Sequence, residues 1–537
     1  LPQDHSRDLF KGAFILTIAA LATKILSAVY RVPFQNIVGD IGFYIYQQVY
    51  PIYGIALALS TYGFPVILSR MIAEEQHPAD GHKKINHLIR VSFFTLLIIG
   101  VLFFLVFYTG ASLLAGWMGD ERLAPLIKFI SFSFLLLPFL SIGRGYFQGK
   151  GNMMPTAVSQ VAEQLVRVAT ILVLSYAFIA QGRSLYEAGE GALSGSLTGG
   201  AAAILVLILF ISIYREKLIF QGSPAAAEDL FKWARILIFQ GMAICISGML
   251  LVLLQLADSL SLYSSLVKSG VPMNQAKVLK GIYDRGQPLV QLGTVVSTSL
   301  SLALVPIVTT AFRKGQKAFL EGKMTAALKV SLAAGTGAAI GLINILGPVN
   351  EMLFENRDGT GVLQIFSLSI LFTSIILTLL GLLQGLGHPY APMKHIVAGV
   401  LLKYMGNLCL VPIWGAAGAA AATVFSLMFV AVFLLLKVKS MFGKTFLSMK
   451  FIGEIAWAAL VMTIVLQIWL WGGSHMGFML HGGRASSIIL SLVGVGAGGA
   501  AYIAVITRRE LFQSHEIILL PFGSKLLKLQ TKLRKKR

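Results

Sequence analysis

About fourteen stretches of roughly 20 apolar residues, the length a helix needs to cross the hydrocarbon core of a bilayer, divide this chain from end to end. They lie near 12–33, 47–72, 88–115, 124–146, 155–180, 189–214, 236–262, 286–312, 326–350, 361–385, 393–415, 416–439, 453–472 and 484–507. Lipid offers no partner to a free peptide group, so such segments have to be helical. The expected fold is an all-α polytopic membrane protein. Composition agrees: 56% of the residues are hydrophobic and 12% charged, against about a quarter charged in soluble domains.

A net charge of +21 would suggest nucleic acid in a soluble protein. Here the cations fall mostly in short loops, where they encode topology instead. With the N-terminus placed in the cytoplasm, about 30 of the 44 Lys and Arg residues lie on that side and about 8 on the other. Arg215, Lys217, Lys232 and Arg235 follow span six, and Lys437, Lys439, Lys444 and Lys450 follow span twelve. The opposite loops carry Asp40, Asp120, Glu121, Glu351, Glu355 and Asp358. Both termini are therefore expected in the cytoplasm, and the first span is read as retained because it exceeds the core of a signal peptide. No loop exceeds about 25 residues, which leaves no room for a soluble domain. The chain has no Walker-type loop and no HExxH or paired-cysteine metal site, so no cofactor or metal is expected. Cys245 and Cys409 lie inside apolar spans and read as packing residues.

An internal repeat organises the spans. Gln148-Gly-Lys-Gly-Asn-Met-Met-Pro, leading into span five, resembles Gln384-Gly-Leu-Gly-His-Pro, leading into span eleven, and the same register carries Arg167 onto Lys403. Asp8-Leu-Phe-Lys before span one recurs as Asp229-Leu-Phe-Lys before span seven. A separation of six helices preserves orientation, so spans one to six and seven to twelve read as two parallel repeats. The expected division is a six-helix lobe over 1–220, a second over 221–440, two extra transmembrane helices over 441–510 and a basic amphipathic tail over 511–537. In that tail Lys525, Lys528, Lys532 and Arg534 alternate with leucines, as in segments that lie on an anionic inner leaflet.

Cations inside the spans mark the candidate site, because each costs about 2.5–3.5 kcal/mol at a helix centre. Lys24 and Arg31 lie seven residues apart on span one and share a face. Span five carries Arg167 and Glu163, four apart, which can pair within the helix or leave the arginine for a ligand. Lys403 has Gly399 at the position where Arg167 has Glu163. Asp284 and Arg285 stand at the mouth of span eight, and Arg144 with Gln148 at the inner end of span four. One deep carboxylate cannot neutralise all of these cations, whereas a bound anion could.

Arg144-Gly-Tyr-Phe-Gln-Gly, Met154-Pro-Thr-Ala-Val-Ser-Gln and Glu163-Gln-Leu-Val-Arg resemble the polysaccharide-transporter, stage V sporulation protein B-like branch of the multidrug/oligosaccharidyl-lipid/polysaccharide exporter superfamily. That group also holds the MurJ lipid II flippases, the Wzx flippases and the MATE drug exporters. The resemblance implies two lobes around a cationic cavity that passes an undecaprenyl-pyrophosphate-linked saccharide across the bacterial plasma membrane, with no enzymatic step. It implies head-group contacts from Lys24 and Arg31 and a role for Arg285, with Arg167 and Lys403 as further cavity cations. Glu163, Arg144, Gln148 and Asp284 are expected as supporting or gating residues. Expected partners are the lipid-linked oligosaccharide, membrane lipids and envelope-synthesis enzymes, and not nucleic acid. Val32 follows Arg31, and Pro288 stands three residues after Arg285, where MurJ proteins carry acidic residues. A cation-coupled drug exporter and a non-transporting envelope or sporulation scaffold are the alternatives, while short loops argue against a glycosyltransferase.

Overall fold

A computed structural model describes residues 2–75, 81–216, 227–475 and 483–512. The basic tail, from Lys525 to Arg537, lies outside them. The described residues form helices joined by short turns, with no strand among them. Thirteen stretches are long and apolar enough to cross a membrane. The first, Ile15–Glu75, has 61 residues, about 90 Å of helix at 1.5 Å per residue. That is enough for two crossings of a core about 30 Å thick, which brings the spans to the expected number.

Local chemistry divides this first stretch. Helix α1 (Pro2–Val29) breaks at Tyr30 and resumes as α2 (Arg31–Ala58), because Pro33 has no N–H to close on the Val29 carbonyl. Helical bonding restarts when the Phe34 N–H donates to the Tyr30 carbonyl at 3.1 Å. Within α2 the chain leaves helical geometry at Gly39, with φ 67° and ψ −177°, a conformation that suits glycine. Spans one and two meet there. A π-helical turn, Leu59–Gly63, then leads into α3 (Phe64–Glu75).

The next four crossings are α4 (Gly81–Thr109); α5 (Ala111–Met118), α6 (Ala124–Ser131) and α7 (Leu137–Gly149) in sequence; α8 (Met154–Ala180); and α9 (Leu185–Ile213). Span seven is α10 (Ala227–Gly248) continued as α11 (Leu250–Lys268), followed by the short α12 (Met273–Asp284). Then come α13 (Gly286–Gly293), α14 (Val295–Arg313), α15 (Lys317–Phe354), α16 (Thr360–Ser367) and α17 (Ser369–Gly385). The chain continues through α18 (Met393–Trp414), α19 (Ala416–Phe442), α20 (Met449–His475) and α21 (Arg484–Arg508). The α18/α19 boundary falls at Gly415, whose φ of 56° and ψ of −137° end one helix and start the next.

Packing divides the chain into two compact units, Leu1–Gly281 and Ile282–Arg537. Span seven falls in the first, where α10 lies against α3 and α4 and α11 against α2 and α5. The boundary at 220 is thus one of sequence repetition and that at 281 one of packing. Within the units the pairings correspond: α3 on α7, α7 on α9 and α8 on α9 in the first, α14 on α17, α17 on α19 and α18 on α19 in the second. The repeated motif also closes with the same bonds. Lys150, Gly151 and Asn152 donate to the carbonyls of Tyr146, Gln148 and Phe147, and Leu386, Gly387 and His388 to those of Leu382, Gln384 and Leu383. The two glycines share left-handed φ values of 78° and 81°, the signature of a helix C-cap that needs glycine. In the second unit, α20 and α21 dock on α15 through a core that includes Leu346, Val349, Met462, Leu466 and Tyr502.

The surface is apolar and the interior partly charged. Ile98, Phe239, Ile413 and Trp471 are each about two-thirds or more exposed. Arg31, Arg144, Arg167 and Arg285 are among the largest fully buried side chains. That inversion is what lipid, acting as the solvent, demands. Close helix approach makes the burial feasible: α9 carries Gly195-Ser-Leu-Thr-Gly199, a GxxxG motif, against α8. A Cβ at Gly199 would sit 2.6 Å from the Glu163 carbonyl oxygen and 3.0 Å from the Arg167 Cβ. Gly199→Val is therefore expected to destabilise the protein by about 1–3 kcal/mol through overpacking. Gly453→Ala, which meets nothing within 4 Å, is expected to melt with the wild type when both are heated in detergent.

Candidate functional site

Arg31 opens α2 inside the first unit, where its side chain is 0% exposed. Its guanidinium carbon lies 4.8 Å from the centre of the Tyr50 ring. Arg167, on α8, is 1% exposed and sits 5.1 Å from the Tyr53 ring and 5.7 Å from the Tyr30 ring. The rings touch one another. Tyr46 and Tyr50 have centroids 5.8 Å apart, Tyr50 and Tyr53 6.1 Å, and the Tyr30 and Tyr46 hydroxyls are 3.0 Å apart. Tyr46, Tyr50 and Tyr53 recur at i, i+4 and i+7, so α2 presents them on one face. Four tyrosines thus cage two arginines.

What the cage offers as acceptors are tyrosine hydroxyls, of Tyr30 and Tyr50 beside Arg31 and of Tyr53 beside Arg167, and none is well aligned. All three Arg31 guanidinium nitrogens are buried without a hydrogen bond, as are Nε and Nη1 of Arg167. Arg167 Nη2 reaches only the Ser27 hydroxyl, at 3.5 Å. A desolvated cation–π contact contributes about 2 kcal/mol, whereas burying an ion costs several. Aromatic faces alone do not offset that cost, and an oxyanion with several lone pairs would supply what is missing.

The sequence left open whether Glu163 pairs with Arg167. Instead its Oε2 lies 2.5 Å from Arg144 Nη2, which corrects the reading of a self-contained pair within span five. Both partners are nearly inaccessible. The reason lies in α2: the π-helical turn leaves the Ser60 carbonyl without a helical donor, and Arg144 Nη1 donates to it at 3.3 Å and to the Thr61 hydroxyl at 3.0 Å. Arg144 Nε reaches the Ser159 hydroxyl at 3.3 Å. Arg144 therefore ties the π-helical turn after α2 to α7 and α8, and Tyr53 of α2 donates to the other Glu163 oxygen at 3.3 Å. Gln148 lies one turn beyond Arg144 in the last turn of α7, its amide 3.5 Å from the Thr156 hydroxyl. Lys24, on α1, is only partly buried.

The remaining candidates gather inside the second unit. Lys403 is 0% exposed and its ammonium donates to the Ala419 carbonyl and the Thr423 hydroxyl at 2.7 Å each, to Asn407 Oδ1 at 3.0 Å and to the Tyr283 hydroxyl at 3.3 Å. An ammonium has three protons, so this shell occupies it. Gly399, in place of a carboxylate, lets α19 approach: a Cβ there would collide with the Val430 side chain. Arg285 Nη1 is held by Asn356 at 2.7 Å and Asn350 at 3.4 Å, beneath the Phe354 ring at 5.2 Å. Its neighbour Asp284 is buried too. Repeat-equivalent Arg167 and Lys403 thus differ: one lacks well-aligned acceptors, the other has them in full.

Sequence reasoning missed the tyrosines. The signal was present in their helical spacing and in Tyr30 beside Arg31, but it reads as ordinary core. It also missed a second polar cluster, in which Asp120 accepts from Tyr186 at 2.5 Å and Tyr44 at 3.2 Å and lies 2.9 Å from Lys277.

Comparison with known proteins brings together the same names. A family described as polysaccharide biosynthesis protein matches residues 9–312. The uncharacterized membrane protein YabM of Bacillus subtilis is 44% identical over 528 residues, 97% of this chain and 96% of its own. The lipid II flippase MurJ of the same organism is 24% identical, covering 93% of this chain and 95% of its own. Its stage V sporulation protein B is 26% identical over 78% of this chain and 81% of its own. Among solved structures, MurJ in an inward closed conformation superposes with a TM-score of 0.67 at 14% identity, over 93% of this chain and all of its own. An inward-facing MATE transporter of the MOP superfamily gives 0.64 at 14% identity, over 78% and 94%. The fold is that of this superfamily.

Two outcomes are expected when variants are unfolded thermally in detergent. Arg144→Met or Glu163→Leu alone is expected to cost about 3–5 kcal/mol by stranding a buried charge, and the double variant to recover much of that loss. Tyr50→Phe keeps the aromatic face over Arg31 and is expected to be nearly silent, whereas Tyr50→Leu loses about 1–2 kcal/mol.

Proposed function

We propose, from the premise that this chain belongs to the polysaccharide biosynthesis protein family, that it is a flippase carrying an anionic undecaprenyl-(pyro)phosphate-linked saccharide outward across the bacterial plasma membrane by alternating access. The observation that carries this reading is the pair of arginines whose five buried guanidinium nitrogens make no well-formed hydrogen bond. Arginine's planar fork suits a phosphate bidentately, and two forks in one cage suit a pyrophosphate. The likeness to MurJ supports the cargo class, a lipid-linked cell-envelope precursor, and the excess of Lys and Arg in one set of loops supports cytoplasmic termini.

The tyrosines serve the unloaded state. A carboxylate beside Arg31 would neutralise it permanently and compete with the substrate, while a ring face stabilises the cation and yields to a stronger anion. Entry requires the cage to open, since Arg31 is fully enclosed. Outward release needs no nucleotide: with the inside negative, each negative charge moved out gains about 2.3 kcal/mol per 100 mV. A cation-coupled drug exporter would need a free membrane carboxylate, whereas Glu163 is committed to Arg144 and Asp258, buried in α11, is engaged as well.

Proteoliposomes containing a labelled undecaprenyl-pyrophosphate-linked sugar test this. Arg31→Ala and Arg167→Ala are each expected to slow translocation at least tenfold, the loss of about 1.4 kcal/mol or more of head-group binding. A membrane potential, negative inside, is expected to accelerate the wild type. Wild-type rates in both variants would refute the assignment.

A further inference from the structure

Outside the cage, the first unit carries an open groove of about 1210 Å³ between α4, α7, α9 and α10. Phe94, Ile98, Phe139 and Ile208, all about half or more exposed, form its walls with other apolar side chains, and Arg90 and Thr95 are its polar lining. Gly143 sets the floor: a Cβ there would meet Leu207 at 2.8 Å, so only glycine lets α7 and α9 close beneath the groove.

Its position is confined to one leaflet. The groove uses the last turns of α9, the first turns of α10 and the early part of α4, the ends that the basic loops assign to the cytoplasm. From Arg90 to Ile98 is about 12 Å along α4, comparable with half of a hydrocarbon core about 30 Å thick.

We infer that this groove binds one anionic glycerophospholipid of the inner leaflet, its acyl chains against Ile98, Phe139 and Ile208 and its phosphate at Arg90. Charge complementarity selects this occupant. A guanidinium at the polar end of an apolar trench matches a phosphodiester joined to hydrocarbon, and basic pockets between helices on the cytoplasmic side take anionic head groups. Lys232 and Arg235, both exposed on α10, add positive potential beside Ala234, a lining residue. The site is independent of the tyrosine cage and of the cargo.

Native mass spectrometry of the full chain, released from detergent and titrated with phosphatidylglycerol or phosphatidylcholine of matched chains, tests the inference. One phosphatidylglycerol is expected to bind in preference to phosphatidylcholine. Arg90→Gln is expected to weaken phosphatidylglycerol binding about fivefold, the attraction of one cation for an anionic lipid, and to weaken binding of phosphatidylcholine, whose phosphate is offset by its choline cation, by less, whereas Arg90→Lys retains most of the preference. Ala234→Trp, which fills the groove and spares Arg90, is expected to remove both. Equal binding of the two lipids to the wild type, or unchanged phosphatidylglycerol binding in Arg90→Gln, would overturn it. The wild-type comparison decides even where a variant fails to fold, and thermal unfolding without lipid identifies such a variant.

Discussion

Guanidinium groups buried in an apolar bundle are the constraint on which the rest of this structure depends. Each buried cation needs compensation, and the chain supplies it in three different ways. Arg144 has a carboxylate, two hydroxyls and a carbonyl. Lys403 has a shell of neutral oxygens. Arg31 and Arg167 have tyrosine rings and their hydroxyls, with the distant Ser27 hydroxyl added for Arg167. The first two arrangements are complete and hold helices together. The third is incomplete, and its deficit is what distinguishes a binding site from a structural tie.

The backbone serves that arrangement. Pro33 leaves one helical bond unmade beside Arg31, and the kink at Gly39 brings the tyrosine face of α2 back so that Tyr46 meets Tyr30 and Phe34. The π-helical turn at Leu59–Gly63 has the same logic. By freeing a carbonyl it gives Arg144 a main-chain acceptor, which keeps Glu163 engaged with Arg144 and leaves Arg167 to the cage. Glycines of α9 bring α8 close enough to place both Glu163 and Arg167. A change in any of these positions acts on the charges through geometry.

Much of this was legible in the sequence, because lipid imposes a simple code. Apolar stretches of helix-spanning length, glycine at the α18/α19 boundary and the repeated Gln-Gly-x-Gly motif all correspond to observed helices and caps. Arg31 and Arg167 stood out because a charge among apolar residues is conspicuous. Their surroundings did not, since a tyrosine on a helical face has the same pattern whether it fills core or covers a cation. Partner choice was equally hidden. Glu163 and Arg167 are four apart and look paired, but the pairing is decided by Arg144, 19 residues away, through the fold. The equivalence of Arg167 and Lys403 was readable as register, whereas their different degrees of satisfaction depend on what α19 and α12 place beside Lys403.

The central claim, that Arg31 and Arg167 receive the phosphates of the cargo, is open to a direct measurement. Solid-state NMR dephasing between ³¹P of a bound undecaprenyl-pyrophosphate sugar and ¹⁵N-labelled arginine side chains, in membranes containing the full chain, reports their separation. The account predicts guanidinium nitrogens within hydrogen-bonding contact of a phosphate, with the signal reduced in Arg31→Lys and again in Arg167→Lys. Saturating lipid with no phosphorus-to-guanidinium dephasing, or dephasing that survives both replacements together, would contradict it.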